Sequence, residues 1–66
     1  MPVITIEAGK MSTEQKNTLI QSFTKVASDT LNIPAQAFVV IIKENNNDNI
    51  GTGGKMLSKV LAEHPQ

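Results

Sequence analysis

Five consecutive apolar residues, Phe38-Val39-Val40-Ile41-Ile42, constrain this chain more than any other feature. A strand points successive side chains to opposite faces, so this run leaves neither face for water and predicts a strand buried on both sides, as parallel strands usually are. A second β-branched stretch, Val3-Ile4-Thr5-Ile6-Glu7, predicts a strand with Ile4 and Ile6 on one face and Val3, Thr5 and Glu7 on the other. Between the two, Leu19, Ile20, Phe23, Val26, Ala27 and Leu31 recur at helical spacing, with Lys16, Asn17, Gln21, Lys25 and Ser28 on the polar side. Ser12, followed three residues later by Gln15, reads as a capping box that starts the helix at Thr13. Asn32 and then Pro34 stop it. Strand, helix and strand make one β-α-β unit with parallel strands, an α+β chain of a single domain over residues 1–66.

One helix covers one face of such a pair. The other face and both edges stay open, so the sequence predicts a fold completed by homo-oligomerisation, with sheets joined or stacked between copies. Size points the same way: a compact monomer of 66 residues and 7.1 kDa keeps roughly 4,100 Å² exposed and buries little. Small chains often compensate with disulfides or a metal cage. Here there is no Cys, and the one His, His64, has only Glu63 beside it, so no metal site is expected.

The connecting segments are read more coarsely. Ala8-Gly9-Lys10-Met11 is a loop in which Gly9 supplies turn freedom, and Asn45 to Asn49 is a turn without the charge or spacing of a calcium loop. Ile50 to Gly54 is too rich in glycine for a helix interior, Lys55 to Leu61 forms a short strand or a last helical turn, and Glu63 to Gln66 is a frayed tail. Gly53-Gly54-Lys55 does not make a phosphate loop, because Asn49 stands where that pattern needs Gly and Met56 where it needs Ser or Thr.

Charge and composition exclude several partners. Six Lys balance six Asp plus Glu, which leaves no basic footprint for nucleic acid or an anionic membrane, and two Phe with no Trp or Tyr leave no stacking platform for single strands. The apolar run from Ala37 to Ile42 is far short of a membrane span. Met1-Pro2-Val3-Ile4-Thr5 lacks the basic start of a signal peptide, so a cytoplasmic location is expected.

Pro2 is singular. Met before a small residue is normally removed, which exposes a prolyl secondary amine. An α-amino group ordinarily titrates at about 7.7 to 8.0, and apolar surroundings or a nearby Lys disfavour its charged form, so it can act as a base near neutral pH.

Met1-Pro2 before an apolar strand, Ser12-Thr13-Glu14-Gln15-Lys16-Asn17-Thr18-Leu19-Ile20, Val40-Ile41-Ile42-Lys43-Glu44 and Ile50-Gly51-Thr52-Gly53-Gly54-Lys55 together resemble the 4-oxalocrotonate tautomerase family, over roughly Met1 to Val60. The resemblance implies β-α-β chains assembled as a homo-hexamer, a trimer of dimers. It implies a small-molecule substrate, an unsaturated carbonyl acid, and no cofactor. The family's amino-terminal proline base corresponds to Pro2, which takes a proton from an enol, or from carbon alpha to a carbonyl, and returns it elsewhere on the conjugated substrate. The two arginines that hold a dicarboxylate in well-known members fall at Lys10, or Met11 if the gap is placed differently, and at Val39. The pocket aromatic falls at Ile50. Pro2 is thus the expected catalytic residue, with Lys10, Val39 and Ile50 lining the substrate. Lys43, on the strand face of Val39, is a reserve anchor within reach of a shorter substrate shifted along the strand. Lys10 supplies charge but not the rigid bidentate fork of arginine, and because a dicarboxylate needs two cationic anchors, a site with one Lys should prefer one carboxylate or none. The alternatives are a related proline-base reaction, decarboxylation or hydration, and a non-catalytic oligomeric module that keeps the fold.

Overall fold

The computed structural model describes residues 1–63; the expectations for His64 and the residues after it lie outside the described residues. In chain order the elements are β1 (Val3–Ala8), α1 (Thr13–Leu31), a 3-10 turn (Ala35–Ala37), β2 (Val39–Glu44), a second 3-10 turn (Asn47–Asn49), β3 (Gly51–Thr52), β4 (Lys55–Met56) and α2 (Leu57–Glu63).

β1 and β2 pair in parallel, with Val3 opposite Val39, Thr5 opposite Ile41 and Glu7 opposite Lys43. Two backbone bonds bracket the ladder: Val39 N–H donates to the Pro2 carbonyl at 3.0 Å, and Asn45 N–H donates to the Ala8 carbonyl at 2.7 Å. These bonds shift the second strand from the expected 38–42. It begins after Phe38, which closes the 3-10 turn, and continues through Lys43 and Glu44, where the ladder with β1 overrides the polar side chains. Side-chain alternation along β1 follows the sequence pattern: Ile4 and Ile6 are half-buried, Val3, Thr5 and Glu7 exposed.

The capping box forms as expected. Gln15 N–H donates to Ser12 Oγ at 3.1 Å, Ser12 N–H to Gln15 Oε1 at 3.0 Å, and Asn32 ends the helix in the left-handed region with φ 57°. The apolar stripe of α1 only partly meets the sheet. Leu19, Phe23 and Ala27 are half-buried, whereas Ile20, Val26 and Leu31 are exposed, by 66% for Val26. Two strands about 4.8 Å apart make a surface narrower than the stripe, so its margins hang over the edges. Lys16 and Ser28, expected on the solvent side, are half-buried instead. Ser28 Oγ donates to the Ile33 carbonyl at 2.6 Å, and Lys16 is drawn to the end of the sheet by an acidic partner described below.

The C-terminal third forms a separate arm. Gly53 and Gly54 take φ of 60° and 81°, both positive as a two-residue type I′ turn requires, and join β3 to β4 as a hairpin, where the sequence excludes only a helix interior. The segment after the glycines is strand and helix in succession, and Glu63 belongs to α2 and not to a frayed end. α2 rests mainly on the Asn47–Asn49 turn and β4. Gly9, by contrast, does not use the left-handed region; a Cβ there would meet Asn47 Oδ1 at an ordinary 3.8 Å.

No described residue is fully buried. The chain exposes 5141 Å², about 1,000 Å² above a compact monomer of its mass. It extends over 45 × 23 × 15 Å, with a radius of gyration of 15.5 Å where about 11 Å is usual for its length. The face of the sheet turned away from α1 carries Val3, Thr5, Val39 and Ile41, with Val3 54% and Ile41 42% exposed. No described helix is long and apolar enough to cross a membrane.

Candidate functional site

The expected site residues fall into two groups at opposite ends of the sheet. Pro2 and Val39 lie together at the end where both parallel strands begin. Pro2 is half-buried, and its carbonyl accepts from the Val39 N–H, which ties its backbone to the start of β2. Met1, which precedes it, is 87% exposed and has no anchoring role there.

Lys10 and Ile50 lie at the other end. Lys10 is in the loop after β1. Ile50 follows the second 3-10 turn, its N–H donating to the Asn47 carbonyl at 3.4 Å, and Asn47 in turn lies over Gly9. Leu57 N–H donates to the Ile50 carbonyl at 2.7 Å and closes the base of the hairpin on this residue. The whole of β1 separates the two groups, about 20 Å by strand rise, whereas a lysine side chain spans only a few bonds. One chain therefore does not bring Pro2 and Lys10 to the same substrate.

Lys43 also stands away from Val39. Four residues separate them, about 13 Å, so Lys43 is out of reach of a small substrate held at Pro2 and Val39 in its own chain. It is exposed, opposite Glu7 in the ladder. Met11, the alternative to Lys10, is held by its backbone: its N–H donates to Glu44 Oε2 at 3.0 Å.

Glu44 organises this end of the molecule, a role the sequence reading did not assign. Its other oxygen, Oε1, pairs with Lys16 Nζ at 2.6 Å, so one carboxylate ties the end of β2 to the first turn of α1 and to the loop that carries Lys10. The available signal was an acid closing an apolar strand, with a Lys just inside the helix that returns over that strand. The hydrogen bond from Lys16 holds the Glu44 carboxyl below its ordinary value; the Met11 N–H and the charge of Lys10 act in the same direction. A carboxylate with a lowered folded-state pKa stabilises the fold above its unfolded value near 4.5, and that contribution is lost as pH falls through the lower folded value. Amide exchange at Met11 is therefore expected to lose protection as the pH is lowered below about 4.5 and to do so less steeply in Glu44→Gln, which cannot change its charge. An equal slope in the two proteins would remove Glu44 as the cause.

Four asparagines and an aspartate follow Glu44. Asn45 Nδ2 donates to Glu7 Oε1 at 3.4 Å, and Asn46 Oδ1 accepts from Asp48 N–H at 3.1 Å, the side-chain cap of the 3-10 turn. Among the described residues no group of three or more His, Asp or Glu could hold a metal ion.

Comparison with known proteins gives consistent matches. The family described as tautomerase enzyme matches residues 2–60. A Campylobacter jejuni protein named a probable tautomerase is 32% identical over 65 residues, which cover 96% of each chain. The solved structure of an apo unfused 4-OT is 33% identical, covers 89% of this chain and 98% of its own, and superposes with a TM-score of 0.83. DmpI from Helicobacter pylori is 31% identical, with coverage of 88% and 98% and a TM-score of 0.79.

Proposed function

The chain belongs to the tautomerase enzyme family, and from this premise we propose that it is an isomerase whose Pro2 amine, freed by removal of Met1, moves a proton between the keto and enol forms of a small unsaturated carbonyl acid. The observation that carries the reading is the position of Pro2, where the family match itself begins. The Pro2 carbonyl accepts from the Val39 N–H at 3.0 Å, which tethers the residue at the head of the two strands, and removal of Met1 would leave its nitrogen a secondary amine there. In the neutral form this nitrogen accepts a proton from the enol oxygen or from the carbon alpha to the carbonyl. The resulting ammonium delivers that proton to the other end of the conjugated system, and the amine returns neutral. No cofactor enters.

The distance between Pro2 and Lys10 sets the form of the site. A substrate touched by both must lie between two copies, with Pro2 and Val39 from one chain and Lys10 and Ile50 from another. The open sheet face, the narrow seat of α1 and the unburied arm support an assembly of several copies, for which the family's hexamer is the proposed form. In the cytoplasm, the proposed location, Met1 removal would proceed as the chain is made.

A site with a Lys in place of two arginines should favour a monoacid, since a second carboxylate left unpaired on leaving water costs several kcal/mol. Ketonisation of enol monoacids, followed by loss of enol absorbance, is the direct test, made on protein whose intact mass lacks Met1. The monoacid is expected to exceed its diacid analogue in kcat/KM, and Lys10→Ala to raise KM for it on the order of tenfold, the effect of a lost hydrogen bond to a charged group. No turnover of any enol by the processed protein would refute the proposed function.

A further inference from the structure

The asparagine run has no part in the proton transfer, yet it borders the same concavity as Lys10. Gly9, Lys10, Asn45, Asn46 and Asn47 line one cleft at the end of the sheet. We infer that this cleft is a carboxylate subsite in which the Asn46 amide works beside the Lys10 ammonium, the pair replacing the planar fork that an arginine would offer. The inference rests on the proposed tautomerase reading and names the group that recognises the acid end of its substrate.

Three observations support it. The Asn46 side chain is oriented by its own backbone: Oδ1 accepts from Asp48 N–H, so the oxygen is committed and Nδ2 remains as a donor. The turn that holds it is fixed by Asn49 N–H to the Asn46 carbonyl at 2.8 Å and by Asn45 N–H to the Ala8 carbonyl, which places the run against the loop of Lys10. Two of the three nearby acids are engaged, while the carboxylate of the third, Asp48, has no partner among the described residues. Glu44 is held by Lys16 and Met11, Glu7 accepts from Asn45, and among the described residues Lys10 forms no ion pair. A cation with an unpaired ammonium beside an oriented neutral donor suits a single carboxylate, since a charge-assisted bond and a second neutral bond satisfy both oxygens without requiring two full charges. Gly9 adds no side chain to the lining of the cleft.

Asn46→Asp separates this role from a structural one. It preserves the side-chain acceptor that caps the turn, removes the donor and adds a negative charge beside Lys10. Asn46→Ser likewise keeps an acceptor for the turn, without the charge. The substrates are the enol of a 2-oxo monoacid and the enol of its methyl ester. The ratio of kcat/KM for acid over ester is expected to fall on the order of tenfold in Asn46→Asp and severalfold in Asn46→Ser, through KM and not kcat. An unchanged ratio in Asn46→Asp would overturn the inference. A binding measurement stands apart from turnover: titration of the unmodified protein with pyruvate is expected to shift the Asn46 side-chain amide and the Lys10 backbone amide in a saturable way, and to leave the Lys10 signal of Asn46→Asp nearly unmoved. Shifts confined to other residues would also overturn it. If processed protein turns over neither enol yet shows the pyruvate shifts, the proline-base reading fails and the subsite stands.

Discussion

Protein that keeps Met1 is expected to be inactive as a tautomerase. The peptide bond to Met1 turns the Pro2 nitrogen into a tertiary amide, whose lone pair is delocalised into the carbonyl and which has no proton to return. Positioned acid-base groups contribute roughly 10² to 10⁴ in rate, and that whole factor should disappear. Met1 is 87% exposed and supports nothing else, so its retention should leave assembly intact. Pro2→Ala, once processed, keeps a terminal amine but a primary one without the ring that fixes its direction, and its activity should fall between the two. The rate of processed protein should decline as pH falls through the prolyl pKa, because the protonated amine cannot accept a proton. Comparing the two forms after separating them by intact mass is the decisive measurement: equal activity with Met1 present would exclude Pro2 as the base.

Ile41→Asp is expected to have the second large effect. Ile41 stands in the middle of the open sheet face beside Val3, Thr5 and Val39, and no described residue of the chain is fully buried without a partner to cover it. Covering each Val or Ile on that face is worth about 1.5 to 3 kcal/mol, so three of them rival the whole stability of a small domain. A carboxylate there would have to leave water unpaired. The variant should sediment as a monomer at micromolar concentration and lose most of its helical circular dichroism, whereas the unmodified protein should show a Tm that rises with concentration, as linkage between folding and association requires. A folded monomer of the unmodified protein at that concentration would overturn the assembly.

Most of the framework was legible from residue pattern alone. Ser12 with Gln15, Asn32 before Pro34 and the alternation in Val3 to Glu7 are local signals, each fixed by hydrogen bonds or sterics within a few residues, and each forms as read. Features that depend on distant partners were not legible. Lys16 looks like a solvated helix residue until Glu44 comes within 2.6 Å of it, and the start of β2 moves by one residue because a bond from Val39 to Pro2 sets the ladder. Ile20, Val26 and Leu31 fit the apolar stripe, yet the width of a two-stranded sheet decides which positions it covers. The Gly53-Gly54 hairpin had a readable signal, two glycines between pairing residues, but with only two residues in each strand it carried no hydrophobic alternation. For the candidate site, the resemblance supplied residue identities and the parallel topology supplied their separation.

That separation has a consequence for inheritance. With Pro2 at the start of β1 and Lys10 just past its end, each chain would lend its two ends to two different substrates, and no chain would own a site. A copy with a damaged proline end would still offer a sound lysine end to its neighbour, and a copy with the opposite defect would do the reverse. In a cell making both defective forms, mixed assemblies would contain some whole sites, so two mutant alleles could restore between them what neither encodes alone.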